Sequence, residues 1–406
     1  MTIIDAFGVS AYLNCEAVPA DRPYATIVGA ALSDHGFDAA LQEIGHWPGY
    51  QPTPLHRLIQ LATRLGLESI VYKDESQRFA LKSFKALGGA YAVFRLIQKA
   101  IALQFPGVQA TVADILSGRF KETVAALTVT CATDGNHGRS VAWGAQTFGC
   151  RCVIYVHQAV SQGRADAIAA FGAEVVRVPG NYDDSVRHAE QQAKVHGWTV
   201  VSDTTYEGYR KIPIDVMHGY GVMAREVVAE MPTPPTHVIV QAGVGAFAAA
   251  VCATFWLAWG PQRPQFILVE PQNAACFFES GLAGQPVAIA GELDTVMAGL
   301  ACGEVSAVAW DILRFGVQAY ATLADDFALQ AMSLLAEPSA PDPAIVAGET
   351  GSVGLGLLLA IEKSPELKQL LGLNAHSRIL ILGSEGDTDP AIYQSVVGRS
   401  AEQVTA

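Results

Sequence analysis

The chain has 406 residues, half of them hydrophobic and 16% charged, which is enough for two domains with a large buried core. A formal net charge of -13 argues against a nucleic-acid partner or an anionic membrane surface. Seven cysteines without CxxC pairs or metal-type spacing favour reduced thiols, no metal site and a cytoplasmic protein.

The beginning of the chain lacks the basic-then-apolar plan of a signal peptide. Residues 1–50 show no clear period, and we expect them to form an arm around the core or a partner subunit. The proline-containing stretch QPTPLHRL at 51–58 predicts an extended entry. The overlapping run LHRLIQLATRLGL predicts an amphipathic helix, and a short strand around Ile70 follows it.

The stretch ESQRFALKSFKALGGAYAVF at 75–94 passes from polar residues through two lysines into an apolar helix. Ser83 is its predicted N-cap. Lys85 then lies in the first helical turn, where the helix dipole disfavours an ammonium and favours a neutral amine that can attack a carbonyl. A lysine taken alone is far more often a solvated surface residue, so this reading depends on the other motifs.

From Leu127 onward, short strands alternate with helical segments that each end near a glycine. This alternation predicts a parallel, helix-covered sheet. We assign residues 90–205 to a small mobile α/β domain, inserted in a large domain made of residues 1–89 and 206–406. The predicted strands of the small domain are 127–131, 151–156, 174–178 and 199–203.

Three later apolar runs predict strands that join the one near Ile70 in a second sheet: 237–241, 266–270 and 378–382. The predicted fold is therefore α/β, with two three-layer domains built on mostly parallel sheets. The most apolar run, at 246–259, is too short to span a bilayer and predicts a core helix, so we expect no membrane partner.

The glycine-rich stretch QAGVGAFAAA at 241–250 follows a strand and opens a helix. Its backbone N–H groups and the helix dipole favour an anion. A tight strand–helix turn is the simpler interpretation, because a bare GxG is weak evidence. The stretch lacks the GxGxxG of dinucleotide folds and the GK[ST] of a P-loop, so a lone phosphate suits it better.

The turn ATDGNHGRS at 132–140 also lies between a strand and a helix, with Asp134 and Asn136 beside backbone amides that can hold a carboxylate. An ordinary Asx turn is the alternative. Asp203 ends the fourth predicted strand, and the carboxyl ends of parallel strands line ligand crevices, so we expect both aspartates to face one cleft. Ser384 and Thr388 follow the last strand, where a hydroxyl can hydrogen-bond to a ring nitrogen of a ligand.

Together these motifs resemble the fold-type II pyridoxal-phosphate (PLP) enzymes, the tryptophan synthase β-like superfamily, and within it the diaminopropionate ammonia-lyases. The resemblance runs in order from about residue 50 to 390. It rests on PTPL, KDESQRF with SFKALGGA, ATDGNHGRSVAWGAQ, DTTYEGYRKIP, QAGVGAFAA, TVMAGLACGE, AGETGSVGLG and GSEGDTD.

The resemblance implies that Lys85 binds PLP covalently, that Lys73 and Lys82 are ordinary charged residues, and that Asn136 contacts the cofactor's 3′-oxygen. It leaves open whether Ser384 or Thr388 contacts the pyridine nitrogen. The phosphate is assigned to Gly243, Val244, Gly245, Ala246 and Phe247. The substrate is assigned to the turn formed by Thr133, Asp134, Gly135 and His137.

The resemblance further implies that Asp134 and Asp203 are catalytic bases acting on opposite enantiomers, since related serine and threonine dehydratases carry a serine in place of Asp134. Two departures from the family pattern are Ala248–Ala250, where another glycine is common, and Tyr206 in place of a tryptophan.

The implied activity is PLP-dependent α,β-elimination of D- and L-2,3-diaminopropionate to pyruvate and ammonia, in a homodimer. The alternatives are elimination from serine or another β-substituted amino acid, and β-replacement by a synthase. A non-catalytic binding or regulatory protein of the same superfamily is a further alternative. The presence of Lys85 and of both aspartates disfavours it.

Overall fold

A computed structural model describes residues 2–29, 31–133 and 135–406, without the side chains of Ala80 and Asp183. The chain divides into two compact units. The first unit comprises Met1–Asp34, Pro52–Ser83 and Met223–Ala406, and the second comprises His35–Gln51 and Phe84–Val222.

The strands are β1 (Ile4–Ala6), β2 (Val9–Leu13), β3 (Leu55–Arg57), β4 (Ser69–Asp74), β5 (Thr128–Ala132), β6 (Arg151–His157), β7 (Glu174–Val178), β8 (Thr199–Val200), β9 (His237–Gln241), β10 (Gln265–Pro271), β11 (Ala319–Leu323) and β12 (Arg378–Gly383). The helices are α1 (Tyr24–Ile27), α2 (Asp34–Ile44), α3 (Ile59–Leu65), α4 (Lys85–Gln104), α5 (Val112–Leu116), α6 (Lys121–Ala125), α7 (Asn136–Phe148), α8 (Gln162–Ala169), α9 (Tyr182–His196), α10 (Lys211–Glu230), α11 (Ala246–Trp259), α12 (Cys276–Ala283), α13 (Ala307–Gly316), α14 (Asp325–Ala336), α15 (Val353–Glu362), α16 (Pro365–Leu370), α17 (Pro390–Val397) and α18 (Ala401–Thr405).

The first unit is built on one mixed sheet with the strand order β1-β2-β11-β10-β9-β12-β4-β3. The neighbours from β11 to β4 are parallel, whereas β1, β2 and β3 pair antiparallel. Strands β9 and β11 are buried along their whole length, as expected of parallel strands covered on both faces. The carboxyl ends of β9 and β12 therefore lie side by side, and both strands lead into sequence motifs singled out above.

The predicted strands at 237–241, 266–270, 378–382 and near Ile70 are confirmed. The helix predicted from Leu55 is wrong at its start, because residues 55–57 pair antiparallel with β4 and the helix begins only at Ile59. Sequence analysis missed β1, β2 and β11. The pairing of β2 with β11 joins residues about 300 positions apart, which no local pattern shows.

The second unit contains a parallel sheet with the order β7-β6-β5-β8, covered by α7, α8 and α9. Helix α4 packs against α7, and two glycines permit this close approach. A Cβ at Gly144 would lie 2.7 Å from the Ala90 Cα, and a Cβ at Gly89 would overlap the Ser140 hydroxyl. The predicted α/β class, with mostly parallel sheets, is confirmed.

The boundaries of the second unit differ from the predicted limits of 90 and 205. Helix α4 belongs to this unit from its first residue because it packs on α7. Residues 35–51 also belong to it, since the Phe37 ring contacts the His218 ring of α10 at 5.2 Å between centroids. Among the described helices, only α4 is long and apolar enough to span a membrane. Of its most apolar 18-residue stretch, 61% is buried, as in the core helix of a globular protein.

Candidate active site

Lys85 is the first residue of α4, and Phe84, not the predicted Ser83, is the N-cap. Its Nζ lies 2.5 Å from Oδ2 of Asp203 in the same unit. The ammonium also lies 5.7 Å from the centroid of the Tyr220 ring. The Ser140 hydroxyl donates to the Lys85 carbonyl at 2.6 Å, which holds the start of α4 against α7.

Asp203 does not end a strand, as the sequence had predicted, because β8 stops at Val200 and the carboxylate lies in the loop beyond it. Burial raises the pKa of Asp203, but the Lys85 ammonium outweighs burial, and the pKa falls well below its usual range. The side chain, 15% exposed, is therefore an ionised carboxylate held against the Lys85 amine.

His137 is buried behind this carboxylate. Its Nε2 lies 2.8 Å from the Val201 carbonyl, which can only accept, so Nε2 carries the proton. Nδ1 then carries a lone pair and lies 3.7 Å from Oδ2 of Asp203. Burial lowers the pKa of His137, so the ring is neutral at neutral pH.

The turn before α7 carries the remaining predicted residues of the second unit. Asp134, predicted as a catalytic base and substrate ligand, lies outside the described residues. The Thr133 hydroxyl accepts from the N–H groups of Gly135 and Gly138, at 3.1 Å each, which holds the turn against the start of α7. Asn136 is the first residue of α7, where the helix dipole is positive.

The predicted phosphate loop lies in the first unit, between β9 and α11. Gly245 is the N-cap of α11 with a φ of 89°, a conformation that favours glycine. A Cβ there would overlap the Phe277 ring, and a Cβ at Gly243 would lie 3.0 Å from the Cys302 sulfur. Both glycines thus let the loop pack closely on Phe277 and Cys302, at the start of a 14-residue helix whose dipole favours an anion.

The hydroxyls that follow β12 differ in their surroundings. Ser384 is 1% exposed, and its Oγ lies 2.8 Å from Nε2 of Gln241. The Thr388 hydroxyl instead donates to Glu385 at 3.3 Å. Lys82 holds this loop, because its ammonium pairs with Asp387 at 2.7 Å and its carbonyl accepts from the Gly386 N–H.

Lys73 is not the ordinary charged residue that was predicted, since its side chain is fully buried. Its Nζ lies 2.7 Å from the Glu226 carboxylate, which also binds Arg78 at 2.8 Å. Glu75 completes the group by pairing with Arg78. Burial raises the pKa of Glu226, but Arg78 and, to a smaller extent, Lys73 lower this pKa by more than burial raises it. The carboxylate is therefore ionised.

Replacing Glu226 by glutamine is expected to lower the free energy of unfolding by about 3–5 kcal/mol, because the buried Lys73 ammonium loses its carboxylate and Arg78 keeps only that of Glu75. Urea unfolding measures the loss. The matched control is Glu362→Gln, which breaks the exposed pair with Arg64 and is expected to cost about 1 kcal/mol or less. Equal small losses in both variants would contradict a structural role for this buried group.

Sequence analysis missed Ser140, Tyr220 and Gln241, which contact Lys85 or Ser384. Gln241 had a signal, since it is the polar last residue of an apolar strand in HVIVQ. Ser140 and Tyr220 had none, because their contacts depend on helix packing.

The chemistry of these residues fits pyridoxal 5′-phosphate. The second unit contains a primary amine that can bond to an aldehyde. The first unit contains an anion loop and a buried hydroxyl. With α/β units on mostly parallel sheets, these features are typical of a PLP-dependent enzyme of fold type II.

The pyridoxal-phosphate dependent enzyme family matches residues 46–382. Diaminopropionate ammonia-lyase of Escherichia coli (strain K12) is 43% identical over 355 residues, 86% of this chain and 88% of that protein. A crystal structure of the Escherichia coli enzyme with an aminoacrylate-PLP azomethine reaction intermediate matches with a TM-score of 0.86 at 39% identity, covering 98% of both chains. A second, in complex with D-serine, matches with a TM-score of 0.87 at 38% identity, covering 98% of this chain and 99% of that one. The chain belongs to the PLP-dependent enzymes and, within them, to the diaminopropionate ammonia-lyase family.

Proposed function

We propose that the protein catalyses PLP-dependent α,β-elimination of ammonia from D- and L-2,3-diaminopropionate, forming pyruvate and ammonia. The single observation that carries this conclusion is the Lys85–Asp203 pair, with 2.5 Å between amine and carboxylate. It joins the residue that binds the cofactor to a base. The choice of substrate is supported by the diaminopropionate ammonia-lyase of Escherichia coli (strain K12), whose alignment covers 86% of this chain.

PLP, when bound, withdraws electrons from the substrate Cα and so makes its proton acidic. Lys85 would hold the cofactor through its amine and would be displaced by the substrate amine. Asp203, an ionised carboxylate, would accept the Cα proton from one face. The displaced Lys85 amine would take up the proton that the substrate α-ammonium loses, and could deliver it to the departing β-amine. The aminoacrylate product is released and hydrolyses to pyruvate and ammonia.

Asp134 is proposed as the second base, on the basis of the resemblance alone. An enantiomer presents its Cα proton from the opposite face, which one carboxylate cannot reach from a fixed position. The turn of Thr133, Gly135 and His137 is proposed to bind the substrate carboxylate, with Thr133 donating its hydroxyl proton. Asn136 is proposed to contact the cofactor's 3′-oxygen.

In the first unit, the loop of Gly243, Val244, Gly245, Ala246 and Phe247 is proposed to bind the cofactor phosphate. Its support is the glycine-rich turn at the N-terminus of α11, where the helix dipole favours an anion. Ser384 is proposed to donate to the pyridine nitrogen. Thr388 is the weaker candidate, because its proton is already given to Glu385.

A substrate panel tests the reaction. With PLP and no second nucleophile, we expect pyruvate and ammonia from both enantiomers of diaminopropionate, measured in a coupled assay, and slower release from D- and L-serine. The relative that binds D-serine motivates the serine arm. Faster turnover of serine than of diaminopropionate would favour the dehydratase alternative. Product formation only with an added nucleophile would favour a β-replacement synthase.

We also propose a cytoplasmic homodimer, in keeping with the resemblance. Light scattering in solution would then give twice the chain mass of 43.0 kDa. A mass of one chain would contradict the dimer.

A further inference from the structure

Gln241, the last residue of β9, has its side chain beside the Ser384 hydroxyl. It is 2% exposed. Its Nε2 lies 2.8 Å from Oγ of Ser384, 2.9 Å from the Leu382 carbonyl and 3.0 Å from the Thr350 carbonyl. The neighbouring, parallel β9 and β12 bring these groups together at their carboxyl ends. All four residues belong to the first unit.

These neighbours define the direction of the hydrogen bond to Ser384. The carbonyls of Leu382 and Thr350 can only accept, so the amide nitrogen of Gln241, not its oxygen, must face them. An amide nitrogen has no lone pair to offer. Ser384 is therefore the acceptor of this bond, and its own hydroxyl proton points elsewhere.

The same argument predicts what Ser384 does without Gln241. The carbonyls of Leu382 and Thr350 are buried beside it, and each would lose a donor. Leaving a buried carbonyl without a donor is unfavourable, so the hydroxyl would turn its proton toward one of them. The two amide protons of Gln241 are shared among the two carbonyls and Ser384 Oγ, which leaves the Ser384 proton for a ligand.

We propose that Gln241 is a positioning residue that leaves the hydroxyl proton of Ser384 for the ring nitrogen of PLP. This inference rests on the proposed function, in which Ser384 contacts that nitrogen. A hydroxyl that donates its proton to the ring nitrogen favours the unprotonated ring, whereas a hydroxyl that donates to a buried carbonyl could only accept from a protonated ring. Gln241 thereby limits the electron withdrawal of the cofactor and favours prompt loss of the β-amine over transamination.

The test compares four holoenzymes loaded with PLP that carries ¹⁵N in its ring: wild type, Gln241→Met, Ser384→Ala and the double variant. Two quantities are measured, the ring ¹⁵N chemical shift and the cofactor dissociation constant. We expect Gln241→Met to move the ring shift toward that of Ser384→Ala. Each single variant should weaken cofactor binding about 2- to 10-fold, the contribution of one hydrogen bond.

The double variant is the decisive one. If Gln241 acts through Ser384, its cofactor affinity and ring shift equal those of Ser384→Ala alone. Two results would overturn the proposal and leave Gln241 a structural residue. One is a double variant whose loss of cofactor affinity is the product of the two single losses, and the other is an unchanged ring shift in Gln241→Met. Gln318→Met is the control, since Gln318 accepts from the Phe266 N–H in the same sheet and is expected to leave the ring shift unchanged.

If Gln241→Met does not fold, Gln241→Glu replaces it at nearly the same volume. A carboxyl group carries at most one proton, which one of the two carbonyls would take, leaving an acceptor toward Ser384. The ring shift is again expected to move toward that of Ser384→Ala, and no movement would overturn the proposal. Failure of the proposed function is distinguishable, because the substrate panel reports the reaction, whereas the ring shift and the cofactor dissociation constant are measured without substrate.

Discussion

Replacing Lys85 by alanine is expected to lower turnover of both diaminopropionate enantiomers by more than about 10³-fold, because the variant loses the amine that binds the cofactor and moves protons. Covalent attachment of PLP should be lost as well. Borohydride reduction fixes a lysine–PLP linkage, so peptide mass spectrometry after reduction should find the cofactor on Lys85 in the wild type and on no lysine in the variant.

Lys82 provides the matched control, since it lies three positions earlier in the same motif. Its ammonium pairs with Asp387, and its side chain is 37% exposed. Lys82→Ala should therefore keep the cofactor on Lys85 after reduction. Recovery of reduced cofactor on Lys82 in the wild type would show that the assignment from the helix start is wrong.

Replacing Asp203 by asparagine is expected to separate the two enantiomers. Loss of a positioned base lowers the rate about 10²- to 10⁴-fold, and a carboxylate on one face serves one enantiomer. We expect kcat/KM to fall by this amount for one enantiomer and far less for the other. Asp134→Asn should show the complementary preference.

Asp215 is the control carboxylate in the same unit. It is partly buried, its pKa is raised to about 6 mainly by burial, and Arg95 lies 3.8 Å away. Asp215→Asn should change both enantiomers equally and only slightly. Equal modest losses for both enantiomers in the Asp203 and Asp134 variants would mean that Lys85 is the general base and that the aspartates only bind substrate.

The parallel strands and the motifs after them were predictable because their signals are local. Strands buried on both faces read as continuous apolar runs, so β9 and β12 were found with nearly correct limits. The glycines of the phosphate loop were predictable for a similar reason, since the left-handed backbone at Gly245 favours this residue. Lys85 was correctly placed in the first turn of a helix.

The errors share a cause in long-range contacts. Lys73 has the sequence of a surface lysine, and only its pairing with Glu226, 153 positions later, explains its burial. The β2–β11 pairing was missed because each strand is short and rich in small residues, so neither has a clear strand signal by itself. Asp203 was placed on a strand because VVSD continues a β-rich run, whereas pairing with β5 ends at Val200.

The amino-acid sequence by itself determined the class of fold, the lysine and the anion loop, because helix starts, glycine requirements and apolar runs are properties of neighbouring residues. Tertiary structure alone decided which groups act on one another. The pairing of Lys85 with Asp203 and the orientation of Ser384 by Gln241 join residues 118 and 143 positions apart. Such contacts arise only when helices and parallel strands pack, since packing brings together side chains that no local pattern connects.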